Sequence, residues 1–572
     1  MGKQQRWRGG WRQWVSRWGR SLLLSGTTLV ALWAGGARPS FGADEIIIAY
    51  GFFERTIQIE DLIAFAEGRG LSRQLAAYVK LFNLSDQDLA QIQGVLNQSI
   101  SFDSDTINVN ESVAIAQFLY TDQGETLLRL LGEVVQTPSR QSGFHALRAA
   151  LILAAADEPT GLTVLNFLVK YPTPAIRVDA IRGLAIADQI NRTIGGASAA
   201  INWVHEQATL TASEEPESVV LTARQLVWDN PPYGVSRSEI RVPRRQIRAN
   251  LYLPTPTGNW PPLPQQAPVV VISHGLGDNR YSYDYLGRYL AQRGFVVVVP
   301  DHPGSNSDQI SNLLRGLTSD VVSDEEFLNR PQDITALLDA LTAHLAGNPV
   351  WRDRADLNNV GVVGQSFGGY TALALGGGTL HPENLTAACG PQVVPVNLSL
   401  LLQCQADALT TVPSFRDQRV RAVLAVNPVG SALLGPQGYS SIQVPTLILA
   451  GVADTVAPAL PEQIRPFSWL QTPDRYLVVV GSATHFSVID ADVDNSSLVL
   501  PPGVIGPNPQ ITQGYLQVLS LGFFKTYLEG DRRYETLLSA RYLQENLATA
   551  PFSPVSVIRD LPPTVLGQAQ AP

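Results

Sequence analysis

A serine stands between glycines in the stretch Gly364-Gln-Ser-Phe-Gly368, after a valine-rich run and before an Ala/Leu-rich one. A serine hydroxyl becomes a nucleophile when a base takes its proton and a sharp strand-to-helix turn presents it. The pattern Gly-x-Ser-x-Gly recurs by chance, but a strand before it and a helix after it make it specific for a nucleophile elbow. Side chains at Gly364 and Gly368 would collide with the adjoining strand and helix. We therefore predict that Ser366 is a nucleophile at a helix N-terminus.

An acid and a histidine follow two later apolar runs. Asp454 comes just after "PTLILAG" and His485 just after "RYLVVVG". The order serine, acid, histidine is that of a parallel-sheet hydrolase, with the histidine as base and the acid as its orienting partner. Asp474 precedes its strand and so faces the other end of the sheet, while Asp490 lies beyond the histidine. We predict that Ser366, Asp454 and His485 form a catalytic triad.

Two backbone N–H groups are needed to stabilise the oxyanion that forms when a serine attacks a carbonyl. One is expected from Phe367, directly after the nucleophile. The other is expected from the loop "HGLGD", with Leu276 as the first candidate and Gly275 as the second. His274 in this loop could be mistaken for a base, but its position before the glycine indicates a role in ordering the loop.

Strand and helix patterns alternate through the C-terminal part of the chain. Such continuous Val/Ile/Leu runs predict a parallel sheet that is covered on both faces by helices. "RANLYLP" is predicted to be an early edge strand, and the proline-rich tail from Ser553 is predicted to be loose. The six core runs are "PVVVIS" (268–273), "FVVVVPD" (295–301), "NVGVVG" (359–364), "VRAVLAV" (420–426), "PTLILAG" (445–451) and "RYLVVVG" (475–481).

The earlier part of the chain, residues 44–215, has the helical period. We predict an all-α N-terminal domain there, an interdomain crossing over residues 211–235, and a catalytic domain over residues 236–572. His145 and His205 lie among apolar or neutral neighbours without a partner motif, which favours structural roles.

The first 42 residues have the layout of a secretory signal: six basic residues without an acid, then an apolar run closed by small residues. We expect an exported protein, periplasmic or extracellular, with an uncleaved membrane anchor as the alternative. The net charge of −9 argues against nucleic acid as a partner. No zinc-type spacing, Walker loop or Gly-x-Gly-x-x-Gly appears, so neither a metal nor a cofactor is expected.

Residues 377–418 form an insertion between the nucleophile helix and the next strand. The stretch "VVPVNLSLLLQ" suggests a cap over an acyl pocket, and a simple surface excursion is the alternative. The chain has two cysteines, Cys389 and Cys404. In an oxidising compartment they are expected to pair and staple this insertion, and two separate buried thiols are the alternative.

Several of these segments resemble known families. "ISHGLGDNRYSY", "LAQRGFVVVVPDHPGS" and "GVVGQSFGGYTA" resemble the platelet-activating-factor acetylhydrolase branch of the α/β-hydrolases. "GVADTVAP" and "SATHFS" are similar to the acid and histidine segments of bacterial cutinases and polyesterases. The likeness spans about residues 240–530, and the N-terminal half resembles the helical domain found ahead of such hydrolases in exported cyanobacterial proteins. Plasma acetylhydrolases carry their acid where this chain has Asn427, which weakens any transfer of phospholipid specificity.

The resemblance and the residues together imply an exported serine hydrolase of the α/β-hydrolase fold. Its substrates are expected to be carboxylic esters, lipid-like or short-acyl, including esters like 1-alkyl-2-acetylglycerophosphocholine. A transient contact with a membrane surface is compatible with such substrates, and the oligomeric state is open. A serine peptidase or amidase of the same fold and a non-catalytic binding protein are the alternatives.

Overall fold

The computed structural model describes residues 42–81, 83–99, 110–158, 160–228, 231–257, 262–390, 397–490, 505–548 and 551–568. The secretory signal expected over residues 1–42 lies outside the described residues, apart from Gly42. In the ranges that are described, no helix is both long and apolar enough to cross a bilayer.

In its described residues, the N-terminal domain consists of a four-stranded sheet and a set of short helices. The strands lie in the order β2-β1-β4-β3, with β1 antiparallel to β2 and parallel to β4. The strands are β1 (Glu45–Tyr50), β2 (Phe53–Gln58), β3 (Val135–Gln136) and β4 (Ala175–Asp179). The helices are α1 (Ile59–Ala66), α2 (Arg73–Leu81), α3 (Asp86–Asn97), α4 (Glu111–Leu119), α5 (Asp122–Val134), α6 (Phe144–Ala155) and α7 (Val164–Val169).

This small sheet corrects the prediction that the N-terminal domain is all-α. Its strands have at most six residues, and β1 pairs with β4 across more than a hundred residues of sequence, as Glu45 opposite Ala175 shows. Short strands that depend on such distant partners carry little periodicity of their own, so the helical period dominates the sequence pattern. Most of this domain's core still comes from its helices, including Leu128 and Leu147.

Two helices connect this domain to the catalytic one: α8 (Ala180–Glu214) and α9 (Ser218–Trp228). The predicted interdomain crossing is therefore largely helical. Ala200, Val204 and Ala208 of α8 are fully buried in the hydrophobic core of the catalytic domain. His205 hydrogen-bonds with Ser556 on the last strand (3.2 Å), which fits the structural role expected for it.

The catalytic domain is built on a nine-stranded sheet in the order β13-β12-β11-β10-β9-β7-β8-β6-β5. The central strands from β8 to β12 are parallel, and β5, β6 and β13 are antiparallel to their neighbours. The strands are β5 (Gly234–Val242), β6 (Ile247–Thr255), β7 (Ala267–Ser273), β8 (Val296–Pro300), β9 (Ala355–Gln365), β10 (Val420–Val426), β11 (Thr446–Gly451), β12 (Arg475–Val480) and β13 (Val555–Ile558).

Helices accompany this sheet in the strand–helix alternation that the sequence predicts, so the α/β-hydrolase fold class is confirmed. They are α10 (Asp284–Ala291), α11 (Ser307–Leu314), α12 (Glu326–Ala346), α13 (Phe367–Leu375), α14 (Ser431–Ser440), α15 (Pro509–Tyr527) and α16 (Pro563–Gln568). Short helical turns lie at Leu385–Ala388, Leu400–Gln403, Arg465–Phe467 and Ala540–Tyr542.

Two predictions for the sheet edges are wrong. The strand containing "RANLYLP" is β6, which lies one strand inside the edge because β5 pairs outside it. The tail predicted to be loose contributes β13, whose four residues are buried against β12. Four residues are too few to show an alternating pattern beside so many prolines.

The parallel strands all end at one rim, and there the sequence places its polar residues. Ser366 follows β9, Asp454 follows β11 and His485 follows β12. His274 follows β7 and Asn427 follows β10 at the same rim. The carboxyl ends of parallel strands are where loops converge on a ligand, so this rim is the place to look for a site.

Candidate active site

The serine at the β9–α13 junction has a strained backbone. Ser366 has φ 56° and ψ −118°, a region that residues with a side chain rarely adopt. A Cβ atom at Gly364 would overlap the Gly368 carbonyl, and one at Gly368 would overlap the Ser273 carbonyl of β7. The two glycines thus allow the turn to close against its own helix and the neighbouring strand, as the sequence predicts.

The three predicted triad residues lie within hydrogen-bonding distance of one another. Ser366 Oγ is 2.8 Å from His485 Nε2, and His485 Nδ1 is 2.7 Å from Asp454 Oδ2. A carboxylate only accepts, so Nδ1 carries the hydrogen and Nε2 is left to accept the serine proton. Asp454 Oδ1 accepts the N–H groups of Val456 (2.9 Å) and Ala457 (2.7 Å), which fixes the carboxylate.

Two amide side chains hold the histidine loop in place. Gln365 Nε2 donates to the His485 carbonyl (2.9 Å), and Asn427 Nδ2 donates to the Thr484 carbonyl (3.1 Å). Asn427 Oδ1 in turn accepts the N–H of Gly451 at the end of β11 (2.9 Å). Asn427 thus ties the ends of β10, β11 and β12 together. Sequence reasoning noted the position of Asn427 and did not find this role.

Two of the predicted oxyanion donors, Gly275 and Leu276, lie on the loop after β7, and the third, Phe367, lies at the start of α13. Gly275, Leu276 and Ser366 all line one cavity. Phe367 is the first residue of α13, so its N–H has no acceptor within the helix. Within the described ranges, the N–H groups of Gly275, Leu276 and Phe367 make no backbone or side-chain hydrogen bond. They are therefore available to a substrate oxygen.

A buried arginine orients the loop that carries two of these donors. Arg330 on α12 donates to the carbonyl oxygens of His274 (2.7 Å) and Gly275 (3.1 Å). In a planar trans peptide the N–H points opposite to the C=O. The N–H groups of Gly275 and Leu276 therefore point away from Arg330. A lone arginine in an amphipathic helix is typical of a surface, so the sequence offers no signal for this role.

His274 has the loop-ordering role that its position suggests. Its Nδ1 donates to the Gly275 carbonyl (2.7 Å), and its Nε2 accepts the backbone N–H of His302 (3.1 Å). Burial, reinforced by the charge of Arg330, lowers the pKa of both histidines well below the usual value. Both rings are thus neutral at physiological pH, and His274 is unsuited to act as a base towards the serine.

The serine opens into a cavity of about 270 Å³ whose walls are mostly apolar. Ser366 is 7% exposed and His485 is 3% exposed. The insertion contributes Leu398, Leu401 and Leu402. The remaining apolar side chains of the catalytic domain in this wall are Leu276, Val321, Val322, Val429, Val456, Phe486 and Ile489.

The insertion is fastened at two places. Cys389 and Cys404 form the disulfide expected from the sequence and are not two separate thiols. Glu462, which is fully buried, accepts from Asn397 Nδ2 (2.6 Å) and Gln403 Nε2 (3.0 Å) of the insertion. These links hold the apolar stretch from Leu398 against the cavity. Residues 391–396 of the insertion lie outside the described residues.

The other acids and histidines weighed in the sequence lie elsewhere or do different things. Asp474 sits before β12, at the far end of the sheet, and accepts a hydrogen bond from Tyr527 (3.0 Å). Asp490 lines the cavity, and its N–H donates to the Ser282 carbonyl (3.0 Å). His145 is exposed on α6, where its ring lies edge-on to that of Phe144. Among the residues that the structure describes, no group of three or more His, Cys, Asp and Glu side chains is placed to hold a metal ion.

Comparison with known proteins identifies two regions of the chain. Residues 42–179 match a family model described as "Alpha/beta hydrolase of unknown function (DUF1400)". Residues 268–387 match a model described as "alpha/beta hydrolase fold". The first match covers the N-terminal domain up to the end of β4, and the second covers β7 to the start of the insertion.

Two curated relatives are similar to parts of the chain. The bis(hydroxyethyl) terephthalate hydrolase of Streptomyces coelicolor is 24% identical over 270 residues, which are 47% of this chain and 60% of that protein. The platelet-activating factor acetylhydrolase of Bos taurus is 26% identical over 140 residues, 19% of this chain and 32% of that protein. The chain thus spans less than two thirds of the length of either relative.

Proposed function

Because the chain is a member of the α/β-hydrolase superfamily, we propose that it hydrolyses carboxylic esters through an acyl-enzyme on Ser366. The observation that carries the proposal is the hydrogen-bonded chain from Ser366 Oγ through His485 to Asp454. The two relatives are a terephthalate hydrolase and an acetylhydrolase, which supports an ester hydrolase in general.

In the acylation step, Ser366 Oγ attacks the carbonyl carbon of the ester while His485 Nε2 takes the serine proton. The carbonyl oxygen becomes an oxyanion, which accepts hydrogen bonds from the N–H groups of Phe367 and Leu276, with Gly275 next to them. Asp454 stabilises the imidazolium. The tetrahedral intermediate then collapses, the bond to the alcohol oxygen breaks, and His485 returns the proton to the departing alcohol.

The deacylation step repeats this sequence with water. His485 takes a proton from water, the resulting hydroxide attacks the acyl carbon, and the acid leaves as Ser366 recovers its proton. The two steps consume only the ester and one water molecule and release an alcohol and an acid, so the proposed chemistry requires no cofactor.

The cavity favours a compact apolar ester. Pockets for drug-sized ligands run from about 300 to 1,000 Å³, and this one is just below that range. Its apolar walls suit an acyl chain of a few carbons. A short-acyl ester is therefore the proposed substrate class, ahead of a two-chain lipid.

Export remains part of the proposal. It rests on the basic and apolar pattern of the first 42 residues. The disulfide between Cys389 and Cys404 supports it, because such bonds persist in oxidising compartments.

A panel of 4-nitrophenyl esters with two to twelve acyl carbons, together with the matching 4-nitroanilides, tests the proposed function. We expect hydrolysis of the shorter esters, a preference for esters over anilides, and a loss of roughly 10⁴-fold or more in kcat for Ser366→Ala. Ser441→Ala is the matched control, because Ser441 hydrogen-bonds to the Gly377 carbonyl (2.7 Å) outside the cavity.

If the protein cleaves the anilides better than the esters, its function is that of an amidase and not of an esterase. A protein that is folded and cleaves neither series, or one whose activity survives Ser366→Ala, would refute the proposed function.

A further inference from the structure

Two side chains of the N-terminal domain reach the cavity in front of Ser366. Phe118, in the last turn of α4, and Gln123, in the first turn of α5, line it together with Leu398 of the insertion. The cavity is thus closed by three parts of the chain that lie far apart in sequence. One wall of the cavity therefore comes from the N-terminal domain, which supplies none of the three triad residues.

The turn between α4 and α5 sets the positions of these two side chains. Thr121 caps α5: its Oγ1 accepts the N–H of Gly124 (3.1 Å) and donates to the Phe118 carbonyl (2.7 Å). A Cβ atom at Gly124 would overlap that same carbonyl, so a glycine is required for the close approach. Thr121 is 1% exposed. Phe118 and Gln123 are therefore presented by a tight, buried turn.

The start of α5 is also held from the side. Arg148 on α6 donates to Glu125 (2.9 Å), two residues after Gln123. Its guanidinium stacks over the rings of Tyr120 (4.2 Å) and Phe144 (4.6 Å). The arginine is buried, while the side chain of Glu125 is 34% exposed. Such a support is what a group needs if it is to hold a ligand in one position.

The carboxamide of Gln123 has an unusual environment. The residue is 8% exposed, yet within the described ranges its side chain makes no hydrogen bond. Three other buried amides near the site each donate a hydrogen bond: Gln365 to His485, Asn427 to Thr484, and Gln403 to Glu462. Gln123 is not among the described residues that have a completely shielded amide atom without a partner, so its carboxamide can still be reached by water or by a ligand in the cavity that it lines.

We propose that the Gln123 carboxamide is a substrate-binding group, and that the preferred esters carry a second hydrogen-bonding oxygen away from the scissile bond. The amide offers two N–H donors and one acceptor, so a carbonyl, ether or hydroxyl oxygen of the substrate can pair with it. The N-terminal domain thereby selects substrates of the catalytic domain. The proposal rests on the proposed ester hydrolysis and adds the class of ester.

Two pairs of esters that differ at a single position test the proposal. On the acyl side the pair is 4-nitrophenyl pentanoate and 4-nitrophenyl 4-oxopentanoate. On the alcohol side it is pentyl acetate and 2-ethoxyethyl acetate. For each pair, the ratio of kcat/KM between the oxygen-bearing and the plain ester is measured for the wild type, Gln123→Met and Gln117→Met.

Methionine keeps the length of glutamine and removes its donors and acceptor. Gln117 is the matched control: its carboxamide lies beside Gly316 of the catalytic domain and does not line the cavity. We expect the ratio to fall about tenfold in Gln123→Met for at least one pair, the loss of one good hydrogen bond. Gln117→Met is expected to keep the wild-type ratio within about twofold.

A ratio measured on the same preparation is independent of the fraction of folded enzyme, so partial misfolding of a variant cannot imitate the effect. Unchanged ratios in both pairs for Gln123→Met would overturn the inference while leaving ester hydrolysis intact. An equal fall for Gln117→Met would also overturn it, since a general disturbance of the domain interface would then explain the change. If the wild type cleaved none of the four esters, the proposed function itself would fail, and the inference with it.

Discussion

At the scale of single residues, each polar group of the triad has a defined partner. Asp454 is satisfied by two backbone N–H groups and by His485, and the histidine has one nitrogen left for Ser366. The strain stored in the backbone of Ser366 is tolerated because the surrounding strands and helix leave the turn no alternative. The site is therefore organised before a substrate arrives, as electrostatic catalysis requires.

Replacing Asp454 by asparagine tests the role of the acid. The amide introduced by Asp454→Asn would donate towards Nδ1 of the histidine, which favours the tautomer with the hydrogen on Nε2 and removes the base from Ser366. We expect kcat to fall by about 10⁴-fold with little change in melting temperature. Asp474→Asn, at the other end of the sheet, serves as the control. If kcat falls by less than about tenfold in Asp454→Asn, Asp454 does not have the proposed role of orienting His485.

Asp278, beside the oxyanion loop, makes stability depend on pH. Its Oδ2 is shielded from solvent and has no hydrogen-bond partner in the described part of the chain, although the residue as a whole is only partly buried. This burial raises the pKa of the carboxyl from 3.8 to about 6. The folded state then binds the proton more tightly than the unfolded state, so the contribution of Asp278 to stability is fully present below about pH 4 and is lost as the pH rises through about 6.

Asp278→Asn removes this titration. We expect the free energy of unfolding of the wild type to fall by roughly 2 kcal/mol more than that of the variant between about pH 4 and pH 7. The carboxamide of the variant keeps an oxygen that can accept from the N–H of Asn279, as Oδ1 of Asp278 does. Denaturant unfolding of both proteins at the two pH values measures the difference. Parallel curves for the two proteins would contradict a raised pKa.

At the scale of elements, a disulfide fastens the insertion that forms part of the cavity wall. The disulfide joins cysteines that are 15 residues apart, and Leu402 of the cavity wall comes two residues before Cys404. Glu462 provides a second anchor that does not depend on the cysteines. Loss of the disulfide should therefore loosen the insertion without releasing it.

The double variant Cys389→Ser, Cys404→Ser tests this link. We expect the free energy of unfolding to fall by about 3 kcal/mol, from the loop entropy regained in the unfolded chain. The preference among acyl chain lengths should become broader, because the leucine wall is less well fixed. Treatment of the wild type with a reductant should reproduce both effects. Identical melting and chain-length profiles would show that the disulfide does not support the cap.

The elements of the catalytic domain could be predicted well, because each of them has a pattern in its own stretch of sequence. The core strands contain continuous apolar runs, and β10 has the predicted bounds of residues 420–426. Ser366, Asp454 and His485 could be found because each follows such a run. β13 and the strands of the N-terminal sheet could not be predicted, because these strands are short and depend on pairing with strands that are distant in sequence. Arg330 and Gln123 carry no motif, and only the packing of distant elements brings them to the site.

At the scale of the whole molecule, the described residues form two hydrophobic cores. One runs from Ala43 to Ile176 and coincides with the first family match. The other belongs to the nine-stranded sheet and includes the second half of α8, from Ala200 onwards. Glu215, just after α8, also accepts the N–H of Arg541 (2.8 Å). By packing, the second half of α8 is thus part of the catalytic unit, although it precedes the predicted domain start at residue 236.

Truncation at two positions tests this boundary. Residues 180–572 retain α8, so we expect a soluble protein with one cooperative unfolding transition and a reactive serine. Residues 236–572 lack α8 and α9 and would expose the apolar surface that Val204 and Ala208 cover, at a cost of several kcal/mol. We expect this shorter chain to aggregate or to melt at a lower temperature. Equal solubility and melting of the two would place the boundary at residue 236 after all.

The central claim is that Ser366 is a nucleophile activated by His485. The most direct measurement is intact-mass analysis and peptide mapping after treatment of the full chain with a fluorophosphonate, which reacts only with an activated serine. We expect one adduct, on Ser366, and its loss in His485→Ala although the serine is still present. A folded wild type that stays unmodified, an adduct on another serine, or equal labelling of His485→Ala would contradict it.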